Sequence, residues 1–151
     1  MQLTQYTDYA LRTLIALGLN AGAKLTVTEI AGAYGISRNH LVKVVARLAE
    51  SGYVETLRGK GGGMRLARAP REIGLGAVVR DMEAELGVVE CLTGGGGHCV
   101  IAPVCRLKGL LGEATDAFLE ALDQHTLEDV LRQPQPLARL LHIPVRVERR
   151  A

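Results

Sequence analysis

All three cysteines of this 151-residue chain fall in one short stretch, ECLTGGGGHCVIAPVCRLK, residues 90–108. Their spacing is C-x7-C-x5-C, from Cys91 through Cys99 to Cys105. Disulfides use cysteines in pairs, and a structural zinc usually takes four ligands, so three thiols fit neither pattern directly. Four chemistries remain open. Zinc can be held by the three thiolates and His98, although His98 directly precedes Cys99 and neighbours in sequence rarely point at one tetrahedral ion. An iron–sulfur cluster takes thiolate ligands and tolerates loose spacing, because a cluster is larger than a single ion. A free-thiol redox sensor is the third reading. Three small buried residues with no chemistry are the fourth.

A second set of residues points to a polyanion. Ser37, Arg38, Asn39, His40 and Lys43 crowd the start of an amphipathic segment, and Arg58 and Lys60 flank a glycine run. Residues 1–72 carry ten Lys/Arg against five Asp/Glu, whereas residues 73–151 carry eight against eleven. The overall charge of +2 therefore hides a basic first half and an acidic second half.

These residues need elements to hold them. Residues 4–21 space Tyr6, Ala10, Leu14 and Leu17 as a helix, with Gly22 as its stop. Thr26 or Thr28 can cap a short helix carrying Ile30, Ala31 and Tyr34, which Gly35 breaks. Ser37 can cap a second helix over residues 38–50, whose inward stripe is Leu41, Val44, Val45 and Leu48. A helix, a short turn and a helix with a polar outer face form the helix-turn-helix pattern. YVETLRGKGGGMRLAR then reads as two short strands around residues 59–63, the wing of a winged helix. Residues 75–85 resume a helix, with Leu75, Val78, Val79 and Met82 on one face. After the cysteine loop a long helix runs over residues 103–124. Its wide apolar stripe includes Leu107, Leu110, Leu111, Ala114, Ala117, Phe118, Ala121 and Leu122, and little chain remains to cover it.

The predicted fold is mainly α with a small β-wing: a winged helix-turn-helix DNA-binding domain, residues 1–72, and a cluster-binding loop with a long dimerisation helix, residues 73–131. Residues 132–151, with three prolines and a basic end, are expected to be a partly disordered tail. With 3% aromatic residues and no Trp, aliphatic side chains must build the core. No run of 18 apolar residues and no secretory leader is legible, which predicts a cytoplasmic protein with no membrane partner. No nucleophile–base set, phosphate loop or paired carboxylates on one face is found, so no enzyme is expected.

The stretch ISRNHLVKVVARLAESGYVETLRGKGGGMRLA, followed by three cysteines and then RLK, resembles the winged-helix iron–sulfur regulators, the family of IscR and NsrR. The opening LTQYTDYALRTL is similar as well, so the resemblance covers residues 1–131. SRNHLVK, RGKGGG and VIAPVCRLK look most like the NsrR type, the nitric oxide-sensing repressors. The resemblance implies a homodimer on a palindromic operator and an iron–sulfur cluster, [2Fe-2S] or [4Fe-4S], held by Cys91, Cys99 and Cys105. It further implies that nitric oxide attacks the cluster and that the DNA is released. One departure is the first gap, LTGGGGH, which is longer than is common in the group and rich in glycine. Three thiolates leave one cluster position to a labile ligand. Asp8, in the TDYALR segment that matches the family, is the expected fourth ligand, reaching across from the partner subunit. Two alternatives stand beside this reading: a cluster-supply or redox regulator of the IscR type, and an iron–sulfur or zinc protein whose winged helix binds another protein.

Overall fold

The structure is a computed structural model that describes residues 2–20, 22–59, 61–94 and 98–143. Seven α-helices and one two-stranded sheet are formed among them. In chain order they are α1 (Gln5–Leu19), α2 (Val27–Tyr34), α3 (Arg38–Glu50), β1 (Val54–Leu57), β2 (Gly63–Leu66), α4 (Leu75–Met82), α5 (Arg106–Asp123), α6 (Leu127–Val130) and α7 (Pro134–Leu141).

Local sequence explains most boundaries. Thr4 caps α1, its hydroxyl oxygen accepting from the Thr7 N–H at 3.3 Å. The helix ends at Leu19 with Asn20 as its cap, before the expected stop at Gly22. Thr26, rather than Thr28, caps α2, in a reciprocal box where Glu29 accepts from the Thr26 N–H at 2.7 Å. Gly35, with φ of 64°, turns the chain out of α2. Ser37 does stand at the α3 cap position, yet its side chain makes no capping bond.

α3 buries the stripe read from its spacing: Leu41, Val44, Val45 and Leu48 are all enclosed. Truncating a leucine so enclosed costs about 2–5 kcal/mol. β1 and β2 pair antiparallel, from Val54 opposite Leu66 to Leu57 opposite Gly63. Leu25 adds a bridge to Met64, with bonds of 3.0 and 2.8 Å, and this pins the base of the wing to the start of α2.

Among the described residues one core joins the winged-helix half to α4 and the last helices. Ala10, Leu14 and Leu17 of α1, Ile30, the α3 stripe, Tyr53, Met64, Ile73, Val78, Met82, Leu127 and Ile143 form a single buried cluster. α1 is its spine and packs against α3, β2, α4, α6 and α7. α5 packs on α4 through one side, where Thr115 and Leu119 are buried. Its other side leaves Leu107 and Leu110 about 60% exposed, with Ala114, Ala117 and Ala121 exposed along the same stripe.

Part of the tail is regular structure. Residues 134–141 form a helix that buries Ala138, and Ile143 joins the core. Pro134 and Pro136 both fall in its first turn, where a missing N–H costs nothing, so a proline-rich composition here starts a helix rather than preventing one. Residues 144–151 lie outside the described residues. No helix among the described residues is long and apolar enough to cross a membrane.

Candidate functional site

Two faces carry the chemistry. The first is the outer side of α3 with the wing. Ser37, Arg38, Asn39, His40 and Lys43 are all exposed, on the side opposite the buried stripe or flanking it. With no side-chain cap at Ser37, the first N–H groups of α3 are left without a side-chain acceptor, and a helix start of this kind attracts phosphate oxygens. Arg58 is exposed on the wing loop between β1 and β2. Lys60 lies outside the described residues.

Other basic residues of this half are spent on structure. Arg65 pairs with Glu55 across the wing at 2.7 Å. Arg68 lies over the Tyr53 ring, 4.9 Å from its centroid, and donates to the carbonyls of Ser51 and Gly52 at 2.9 Å. Arg47 donates to the Asp81 carbonyl at 3.3 Å. The Tyr53 hydroxyl donates to the Asp81 carboxylate at 2.5 Å, and burial, then this bond, push its pKa up to about 12. The end of α3, the base of the wing and α4 are thereby locked together through Asp81.

A further link was not expected from spacing. The Tyr6 hydroxyl of α1 donates to the main-chain carbonyl of Lys43, in the middle of α3, at 2.9 Å. Tyr6 fits the helical stripe as an apolar residue, and nothing in the pattern signals where its oxygen goes.

The second face is the thiol loop. Cys91 sits in a 3-10 turn, Glu90–Leu92, that Thr93 closes by donating its hydroxyl to the Glu90 carbonyl at 2.7 Å. A second 3-10 turn, Ala102–Val104, leads to Cys105, the residue that precedes α5. All three thiols are free. Cys91 and Cys105 are half-buried and Cys99 is exposed. Among the described residues, no group of three or more His, Cys, Asp or Glu side chains is arranged to hold a metal. The loop of the single chain thus does not gather its thiols, and His98 joins no such group either. The donor set still suits an iron–sulfur cluster: three unpaired thiols, two of them in or beside short turns and one of these at the start of an 18-residue helix, where negative charge is favoured. A loop of this kind is ordered by its metal.

Asp8 is not brought to these thiols within the chain. It lies in the first turn of α1, and Arg12 donates to its carboxylate from Nε at 3.0 Å and from Nη2 at 2.8 Å. Arg12 in turn lies 5.8 Å from the centroid of the Tyr34 ring on α2. The segment between α4 and the thiol loop reaches α1 by a different residue. Glu83, just after α4, accepts from the Thr4 N–H at 2.7 Å and from its hydroxyl at 3.1 Å, and so closes the start of α1.

Known proteins match this architecture over most of its length. The chain is 51% identical to the HTH-type transcriptional regulator NsrR of Geobacillus kaustophilus over 142 residues, which covers 93% of this chain and 97% of that one. It is 47% identical to the NsrR of Bacillus subtilis, again over 93% of this chain and 97% of the other. Among solved structures, CymR (YrzC), the global cysteine regulator of B. subtilis, superposes with a TM-score of 0.68 at 27% identity, covering 86% of this chain and 95% of that one. T. potens IscR has the same fold, with a TM-score of 0.69 over 91% of this chain and 90% of its own. The model of the Rrf2 family, described as iron-dependent transcriptional regulators, matches residues 3–133. An exposed α3, a wing and a free three-thiol loop thus occur here in a chain built as a transcription regulator rather than an enzyme, and the chain belongs to the Rrf2 family.

Proposed function

We propose that the chain is a nitric oxide-responsive repressor, working as a homodimer on a palindromic operator through an iron–sulfur cluster. The observation that carries this reading is the union, in a chain 51% identical to an NsrR regulator, of an exposed α3 start with three free thiols. Residues 1–72 read DNA, and residues 73–131 sense and dimerise.

In this reading Arg38, Asn39, His40 and Lys43 meet base edges and phosphates in the major groove, while Arg58 and Lys60 meet the backbone beside it. Cys91, Cys99 and Cys105 hold the cluster, and Asp8 is the fourth ligand, supplied across the dimer. When bound, the cluster supplies the group with which nitric oxide reacts. Asp8 then has two alternative partners, since in this structure it is seated on Arg12. The first turn of α1 carries both Asp8 and Tyr6, so a change at Asp8 reaches the Lys43 carbonyl of α3 within one helix turn. The exposed stripe of Leu107, Leu110, Ala114, Ala117 and Ala121 is the surface offered to the second copy.

The test is anaerobic purification, followed by iron and sulfide analysis, visible absorbance, and retention of an operator duplex before and after nitric oxide. The reading expects bound iron and sulfide, a bleached or altered spectrum and released DNA. Operator affinity that ignores nitric oxide overturns it. If oxidation of the cluster releases the DNA while nitric oxide does not, the protein is a redox regulator of the IscR kind instead.

A further inference from the structure

Among the described residues, eight large hydrophobic side chains are left exposed, and they are unevenly placed. Seven lie at residues 100–140, on the thiol loop, α5 and the last helices. The eighth is Val42, 44% exposed, and it is the only one among the described residues of the winged-helix half. It stands on the outer side of α3. At 100° per residue, Val42 falls one turn beyond Arg38, next to Asn39 and Lys43, and one turn before Ala46, which is also exposed. The buried stripe of Leu41, Val44, Val45 and Leu48 is centred roughly 110° round the helix from Val42, which therefore flanks it.

Packing covers Val42 only in part, and 44% of it stays open to solvent. Helix formation does not favour it either, because a β-branched side chain loses rotamer freedom against the preceding turn. Its neighbours on this face are the residues that address base edges. The major groove offers one apolar group to such a face, the C5-methyl of thymine. A valine isopropyl group, with the Ala46 methyl beside it, matches that group in size and chemistry.

We propose that Val42 is a specificity residue that reads thymine, its isopropyl group packing on the C5-methyl of one thymine in each operator half-site. This rests on the reading that α3 enters the major groove. The helix rise puts Val42 about 6 Å along the axis from Arg38, so the thymine lies within roughly two base pairs of the base that Arg38 or Asn39 contacts.

Replacing thymine by deoxyuridine removes the methyl and keeps every hydrogen bond of the base pair. The experiment uses the anaerobic, cluster-loaded full chain and a palindromic duplex that it selects from a random-sequence pool. Each thymine of a half-site is replaced in turn, in both halves together, and affinity is read by fluorescence anisotropy for the parent and for Val42→Ala. The parent should lose about fourfold per half-site at one thymine position, or roughly 15-fold for the pair. Val42→Ala should bind the unmodified duplex more weakly by a similar factor and should be indifferent to deoxyuridine at that position. A parent that tolerates deoxyuridine everywhere overturns the proposal, as does a Val42→Ala protein with the parent's full deoxyuridine penalty. Arg38→Ala and Asn39→Ala separate the two layers. If both bind the duplex like the parent, α3 does not read DNA, and the docking reading itself has failed rather than the assignment of Val42.

Discussion

Gly87 predicts a way to damage the sensor without touching a ligand. A Cβ at this position would stand 2.6 Å from the Leu92 carbonyl carbon, 2.7 Å from its oxygen and 2.9 Å from the Thr93 nitrogen. These are main-chain atoms of the turn that carries Cys91, and ordinary contact begins near 3.4 Å. Gly87→Ala must therefore push that turn back by most of an ångström, and crowding of this kind costs about 1–3 kcal/mol. The strain has an easy exit, because among the described residues none between 83 and 114 is fully buried. It should displace Cys91 rather than disturb the core. Charged to the ligand segment, the cost weakens cluster retention about 5- to 150-fold. The apo protein should melt within about 2 °C of its parent, a shift that corresponds to about 0.5–1 kcal/mol in a domain of this size. The assay is iron and sulfide per chain after anaerobic purification, then the rate of iron loss to a chelator, with calorimetry on the apo form. Gly94→Ala is the control: it lies in the same loop, and a Cβ there meets nothing within 4 Å. A Gly87→Ala protein that resists the chelator like its parent would refute the reasoning. So would an apo protein that melts many degrees lower, since the strain would then have entered the core.

Further outcomes are expected elsewhere. Tyr6→Phe keeps the ring and removes the 2.9 Å bond to the Lys43 carbonyl, a loss of about 0.5–1.5 kcal/mol. Operator affinity should fall with the cluster spectrum unchanged, and a simultaneous change of spectrum would place Tyr6 at the sensor instead. Leu110→Glu combined with Ala117→Glu on the exposed side of α5 should yield a folded monomer by light scattering; a stable dimer would mean that the copies meet elsewhere. At alkaline pH, Tyr34 and Tyr53 both have pKa values pushed up from 10.0 to about 12, first by burial. The fold favours their neutral hydroxyls, so this contribution is whole below pH 10 and is lost as pH rises to about 12. The urea midpoint should drop over that window, and Tyr53→Phe should flatten part of the drop; a midpoint level from pH 9 to 11 would contradict the assignment.

Periodicity made much of this fold legible. Leu41, Val44, Val45 and Leu48 mark the buried side of α3 by spacing alone, and the glycine run between two short apolar segments marks the wing. The cysteines were legible by type. What spacing does not carry is where a polar atom on a buried stripe finds its partner. The Tyr6 hydroxyl reaches 37 residues along the chain to Lys43, and Tyr53 reaches 28 residues to Asp81. The i, i+4 spacing of Asp8 and Arg12 does announce their ion pair, and it is a signal worth reading before a carboxylate is assigned to a metal. Composition said little about the tail, where position mattered more: prolines in the first turn of α7 are compatible with a helix that the same prolines two turns later would break.

The absence of fully buried side chains between residues 83 and 114, among those described, has a consequence for how such a protein can change over generations. Core positions constrain one another, and a substitution in one taxes its neighbours. The segment that carries the thiols is largely released from that constraint. Insertions, deletions and exchanged ligands there leave Leu14, Leu41, Val78 and Leu127 packed as before. The long glycine-rich gap between Cys91 and Cys99 is a change of this tolerated kind. If these thiols sense as proposed, their chemistry can drift within one lineage while the winged helix stays fixed, and a new stimulus can be acquired without first inventing a new fold.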